Sequence, residues 1–258
     1  MKNKFYFCEL HCHTSVSLDS PAKIENIIAV AKERGVDAIA VTDHNKAYKG
    51  PSLIDGVHII PGSEITTKEG EHLLGYFISE DIEKGLPFEK VVSKIREQGG
   101  FVSWAHPMRR GRFLKKENRD KIFLVDCIES GNAMDLEANR TKTTEVCDKF
   151  SLIKTAGSDS HIEGQIGTGV VKVPEIPTKE NFLEVLKQGE VIVRDEVSWF
   201  RNKNKKLRKP MIFASKVIRR TRLVFLQNIF NRLIIGGYLQ LFNIKLKRIK
   251  FNYHQDEQ

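Results

Sequence analysis

Glu9-Leu10-His11-Cys12-His13-Thr14 is the stretch on which the reading of this chain turns. It follows Phe5-Tyr6-Phe7-Cys8, an aromatic-rich run suited to a buried strand. Side chains two apart on a strand share a face, so His11 and His13 project together from its end. Two neighbouring imidazoles can chelate one transition-metal ion, or they can be ordinary polar loop residues. The remaining histidines decide between the two.

Outward from this pair the chain alternates. Ser20 and Pro21 carry N-terminal helix signals, Ile24, Ile27, Ile28 and Ala31 recur at helical spacing, and Gly35 ends the helix. Residues 36–41 read as a buried strand that runs into Thr42-Asp43-His44-Asn45. A strand over 57–60 leads to Gly62-Ser63-Glu64, and another over 72–77 opens on His72. A helix over 87–98 stops at Gly99-Gly100; a strand over 101–104 leads to Ala105-His106-Pro107. A strand over 123–129, a helix over 134–150 and a last barrel strand over 152–156 bring the chain to Gly157-Ser158-Asp159-Ser160-His161. A short helix before Gly189 and a short strand over 191–193 follow.

Seven strands separated mostly by helices imply an α/β fold with a mainly parallel sheet. Ligand-type residues fall beside nearly every strand, mostly past its C-terminal end, where a β/α barrel builds its site. An open doubly wound sheet would collect them at one crevice instead. The expectation is barrel-like closure.

Six of the eight histidines, His11, His13, His44, His72, His106 and His161, lie at strand ends or loop starts. Asp19, Glu64 and Asp159 accompany them. Nine donors exceed one tetrahedral site and suit two or three divalent ions of borderline hardness, Mn, Zn or Fe. Clustered metals serve phosphoester hydrolysis by acidifying a water and taking up phosphoryl charge. His58, inside an apolar strand, reads as a core histidine and His254 as solvated. Cys12 points away from its flanking histidines and reads as packing.

In order along the chain stand His11-Cys12-His13-Thr14, Thr42-Asp43-His44, Gly62-Ser63-Glu64, His72, Ala105-His106-Pro107 and Gly157-Ser158-Asp159-Ser160-His161. With these the chain resembles the PHP family, the polymerase and histidinol phosphatase domain, over roughly residues 4–195. Ile128-Glu129-Ser130-Gly131-Asn132 also looks like a stretch of the family's small stand-alone phosphoesterases. The resemblance implies a distorted seven-stranded (β/α)7 barrel with a PHP-associated segment after it. It implies three metal sites: His11, His13, Glu64 and Asp159; His72 and His106, bridged by Glu64; and Asp19, His44 and His161. It implies a divalent-metal-dependent phosphoesterase acting on a phosphomonoester or short phosphodiester through a metal-bound hydroxide. Glu64, Asp159, His161 and Arg109 would carry the chemistry, Arg109 by holding the phosphate. Arg110 and Arg112 are weaker candidates for that role, Asn139 and Arg140 weaker still, and Asp43 a candidate for orienting a ligand imidazole.

Charge divides the chain. Residues 201–258 hold 15 Lys and Arg against 2 Asp and Glu, a balance of +13; with +9 for the whole chain, residues 1–200 carry −4. The expected division is therefore a PHP domain over 1–200 and a basic amphipathic helical extension over 201–258. Apolar residues interspersed with Arg219, Arg220, Arg222 and Arg232 fit an anionic membrane surface, nucleic acid, or an extension packed on the barrel. A non-catalytic, metal-stabilised module binding through this segment is the alternative to an enzyme. Four cysteines without paired spacing and the lack of a signal-type apolar stretch point to the cytoplasm, peripheral to the inner membrane if the segment is an anchor. The expected partners are a phosphorylated small molecule or nucleotide.

Overall fold

The computed structural model describes residues 4–109, 116–194 and 249–256. Ten strands form one sheet: β1 (Tyr6–Cys12), β2 (Ala38–Val41), β3 (Leu53–Ile54), β4 (Val57–Thr66), β5 (His72–Tyr76), β6 (Phe101–Ala105), β7 (Cys127–Asn132), β8 (Ile153–Gly157), β9 (Gly169–Val173) and β10 (Glu190–Val193). The order is β10-β9-β1-β2-β4-β5-β6-β7-β8, with β3 paired to β4. The sheet curls until its two sides meet. Just beyond β8 the backbone reaches β1 through Asp159 N–H to His11 O (2.9 Å) and His13 N–H to Ser160 O (3.0 Å). Gly157 stands at this seam, where an added Cβ would lie 2.3 Å from His11 Cβ, so the close approach requires glycine.

Four longer helices are α1 (Ile24–Arg34), α2 (Phe88–Glu97), α3 (Glu137–Phe150) and α4 (Phe182–Lys187). Gly35 caps α1 in a left-handed conformation with φ 69°. Ser20 is not its N-cap: the helix begins at Ile24 after Lys23, and the Ser20 hydroxyl donates to His13 O instead (3.1 Å). Helix α2 presents Phe88, Val91, Val92 and Ile95 to the sheet. The barrel interior is filled by Cys8, Leu10, Ala38, Ala40, Ile60, Leu74 and Tyr76, with Phe182 of α4 packed among them.

Three strand expectations change. The 72–77 strand exists but runs antiparallel to both β4 and β6. Strand β7 starts at Cys127, because residues 116–123 form a 3-10 helix. Strand β9, unrecognised in the sequence, pairs antiparallel with β1 and carries β10. His58 is exposed on β4 rather than buried, because its strand neighbours Val57 and Ile59 take the covered face. Of the 201–258 extension, 201–248 lies outside the described residues, as do Arg110 and Arg112. Residues 249–256 pack on the barrel: Tyr253 is buried and stacks on Phe7 with ring centroids 4.6 Å apart. His254 is half-exposed yet bonded to Asp37 (3.0 Å), so it is not simply solvated.

Candidate metal centre

A register shift in β1 between Glu9 and Cys12 builds the first part of the site. Before it, Cys8 and Leu10 face the interior core; after it, His11 and His13 face the mouth and Cys12 packs outward with Phe7 and Val41. The other donors arrive from successive strand ends: His44 after β2, Glu64 within β4, His106 after β6, and Asp159 and His161 after β8. His72 is the first residue of β5. Because β5 is antiparallel, its start lies at the mouth, opposite Thr66 and Ala105.

Glu64 is the hub. Its Oε1 lies 2.7 Å from His72 Nδ1, 3.1 Å from His106 Nε2 and 3.6 Å from His11 Nε2. Its Oε2 lies 2.8 Å from His44 Nδ1 and 3.5 Å from His13 Nε2. Asp159 Oδ1 sits 3.4 Å from His13 Nε2 and 3.6 Å from His11 Nε2. Asp19, on an exposed loop, places Oδ2 3.3 Å from Nε2 of both His44 and His161. All nine donors foreseen in the sequence thus come together.

Three sets of donor atoms converge closely: His11, His13 and Asp159; Glu64, His72 and His106; and His13, His44 and His161. His13 faces two of these sets, a sharing absent from the expected division. His106 and Asp159 adopt left-handed backbone, φ 33° and φ 52°, the kind of strain that accumulates at functional sites.

Divalent ions fit this donor set on two observations. The buried Glu64 Oε2 accepts no hydrogen bond from the described residues, although His44 Nδ1 is close. The Nε2 atoms of His11 and His13 stand 3.2 Å apart, so two imidazole nitrogens able to bind an ion converge on one spot.

The electrostatics agree. Burial alone would raise Glu64, but His72 and His11 hold its carboxyl well below the usual range. Burial would lower His11, yet Glu129, Asp159 and Glu64 carry it well above its ordinary value. For His44, burial is outweighed by Asp19 and Glu64, which raise it to about 10. His13 goes the other way, to about 4, through burial and the neighbouring His161. Burial and then Arg109 lower His106.

Arg109 is bonded to protein through each of its three nitrogens. Its Nε donates to Asp135 Oδ1 (2.6 Å), Nη1 to Asp159 Oδ2 (2.7 Å) and Nη2 to Asn132 Oδ1 (2.8 Å). It still lines the cleft beside His72 and His106. Asn139 and Arg140 lie on α3, where Arg140 Nη1 donates to Asp135 O (2.8 Å). Asp43 does not orient an imidazole directly. It accepts from Thr14 N and Oγ1 and from Ser17 N and Oγ, fixing the loop that leads to Asp19; Ser17 Oγ then stands 3.4 Å from His13 Nδ1.

The group that sequence reasoning missed as an orienting residue is Glu129. Its Oε1 holds His11 Nδ1 (2.8 Å), and its Oε2 accepts from His106 N (2.9 Å) and Asn132 Nδ2 (3.0 Å). A register shift in β7 between Glu129 and Gly131 turns both Glu129 and Asn132 inward. A buried carboxylate at the end of a strand that brings no donor of its own was the available signal.

A curled α/β sheet with imidazoles and carboxylates gathered at its mouth defines a barrel with a cluster of groups able to hold metal. The chain belongs to the PHP family: the PHP domain matches residues 9–154 and the PHP-associated family matches residues 137–191. It is 39% identical over 133 residues to an uncharacterized protein of Methanocaldococcus jannaschii, covering 46% of this chain and 75% of that protein. It is 32% identical over 85 residues to a probable phosphatase of Shewanella sp., covering 28% of this chain and 34% of that one. Among solved structures, PsfC from Pseudomonas syringae superposes with a TM-score of 0.62 at 18% identity, over 81% of this chain and 99% of PsfC. A two-domain Bacteroides vulgatus protein containing a predicted PHP-like metal-dependent phosphoesterase gives 0.57 at 18% identity, over 74% and 65%. These two likenesses show the fold.

Proposed function

We propose that this chain hydrolyses a phosphomonoester or short phosphodiester with the help of two or three divalent ions. The observation that carries the reading is the Glu64 carboxylate, buried and approached by five imidazoles, with Asp159 and Asp19 completing the donor set. The names of similar proteins, probable phosphatase and predicted PHP-like metal-dependent phosphoesterase, support the same class.

His11, His13, Glu64 and Asp159 would hold one ion, His72, His106 and Glu64 a second, and Asp19, His44 and His161 a third. Mn, Zn and Fe suit these nitrogen and oxygen donors. Bound there, such ions supply an acidified water and charge stabilisation on phosphoryl oxygens. The chain's own residues do the rest. Glu129 fixes the His11 tautomer so that Nε2 keeps its lone pair. Arg109, held by Asp135, Asp159 and Asn132, presents a fixed positive charge at the cleft wall for a phosphate oxygen. Ser17 and Asp43 hold the Asp19 loop in place.

The experiment is turnover of a panel of mono- and diesters by Mn-loaded full-length protein, beside direct metal analysis. Mn-dependent release of phosphate or alcohol is the expected result. Tight binding of two or more ions with no turnover of any ester would instead favour the non-catalytic module. For location and partners, we infer an anionic surface, membrane or nucleic acid, as the counterpart of the basic 201–258 segment; the support is its charge of +13. No described helix is long and apolar enough to cross a membrane.

A further inference from the structure

The backbone of 163–168, two residues past His161, is held from outside by Arg34, Glu9, Arg194 and Tyr253. Arg34 Nη1 donates to Gly164 O (3.0 Å) and to Ile166 O. Glu9 accepts from the Gly167 N–H. Arg194 N donates to Thr168 O (2.8 Å). The Tyr253 hydroxyl donates to Gly167 O (2.7 Å). Inside the stretch, Gln165 Oε1 accepts from the backbone N–H of His161 (2.8 Å), and Thr168 Oγ1 donates to Gln165 O (2.7 Å).

Tyr253 stands far beyond residue 191, where the family matches end. The segment around it is nevertheless built into the barrel. The guanidinium of Arg34 lies 4.7 Å from the Phe251 ring centre and that of Arg194 lies 4.1 Å from it. Arg194 also pairs with Asp256 (2.6 Å), Asn252 donates to Glu33 O (2.9 Å), and His254 meets Asp37. Arg34 and Arg194, which hold the 163–168 backbone, are therefore themselves held by this segment. Gly167, at φ 79°, leaves little slack: an added Cβ would lie 3.1 Å from Val36 Cγ2. Burial pushes the Tyr253 hydroxyl up to about 12, so it remains a donor.

We propose that residues 249–256 form a clasp for the metal centre, in which the Tyr253 hydroxyl is a positioning group acting through Gly167 and Gln165 on His161. The inference rests on reading Asp19, His44 and His161 as metal donors. The His161 ring meets Asp19 through Nε2 at 3.3 Å and Asp159 O through Nδ1 at 2.9 Å, while its backbone N–H is placed by Gln165, so slack in 163–168 reaches the donor through the backbone. A purely structural tyrosine would stabilise the folded chain equally with and without metal. A positioning tyrosine acts on metal affinity.

The test is Mn titration of the full-length chain, reading bound metal against a competing chelator, for wild type, Tyr253→Phe, Gln165→Ala and the double variant. Tyr48→Phe is the control, since that hydroxyl bonds Pro51 O on the surface. Tyr253→Phe and Gln165→Ala should each raise the half-occupancy concentration of the weakest ion about fivefold, the equivalent of one hydrogen bond. Tyr48→Phe should not move it. The double variant should shift less than the product of the singles, because both act along one route. A Tyr253→Phe protein that melts earlier without metal but binds Mn as wild type does overturns the proposal, as does a fully multiplicative double variant. Wild type that takes up no Mn overturns the metal-site reading itself, and the clasp with it.

Discussion

Replacing Glu129 by Gln changes one atom and tests how the centre is oriented. In the native site Oε1 takes a hydrogen bond from His11 Nδ1 at 2.8 Å. That keeps a proton on Nδ1, so an ion that displaces the second proton would meet the Nε2 lone pair among Glu64, Asp159 and His13. Glutamine has two orientations and neither serves. With its NH2 toward His11, the amide donates to Nδ1, the ring proton moves to Nε2, and a donor is lost. With its NH2 on the other side, it meets two other donors, His106 N and Asn132 Nδ2, which the native oxygen holds at 2.9 and 3.0 Å. A hydrogen bond to a charged group contributes roughly 1.5–3 kcal/mol, which corresponds to about 10- to 150-fold in metal affinity. Outer-shell partners of ligating histidines generally change affinity by about 10–100-fold. The assay is chelator competition on the folded variant, followed by ester turnover at saturating metal. Metal affinity within about threefold of wild type would show that Glu129 does not set the His11 tautomer, and the orienting argument would fail.

Glu64→Ala should lower turnover more than about a hundredfold, because its two oxygens reach five imidazoles; a folded variant near the wild-type rate would refute the hub role. The metal-free protein should lose stability as pH rises. His44 is raised from 6.5 to about 10, so the folded form holds a proton that the unfolded chain releases; that stability is complete below about 6.5 and lost toward 10. Glu9, raised from 4.5 to about 7 by burial, acts with the same sign between those values, while His13, at about 4, opposes it below 6.5. Melting temperatures of the metal-free protein should therefore fall from pH 6.5 to 10, and a rise would contradict the assignment. Full-length protein should bind anionic vesicles, with binding weakening as salt increases; salt-independent binding would remove the electrostatic argument for the basic segment.

Local chemistry is legible in the amino-acid order. The His11/His13 pair, the histidines past β2, β6 and β8, and Asp159 sit at chain positions that strand periodicity marks as ends. Ligand type depends on residue identity, and a barrel of successive strands brings such ends to one mouth. Helices α1 and α2 were equally readable, since apolar spacing and terminal glycines are local signals.

What the amino-acid order determined by itself was the donor set and the alternating β/α plan that gathers it. Tertiary structure alone decided how the donors are held. Two register shifts, in β1 and β7, change which residues face inward, and no side-chain pattern announces an inserted residue. That is why Glu129 and Asn132, three apart, both reach the site. The antiparallel pairing of β5, which puts His72 at the mouth, depends on hydrogen bonds to two other strands. Arg109's three acceptors come from positions 23, 26 and 50 residues away, and Tyr253's from 86. Contacts over such separations exist only once the chain has closed, and closure is a property of the whole sheet rather than of any stretch within it.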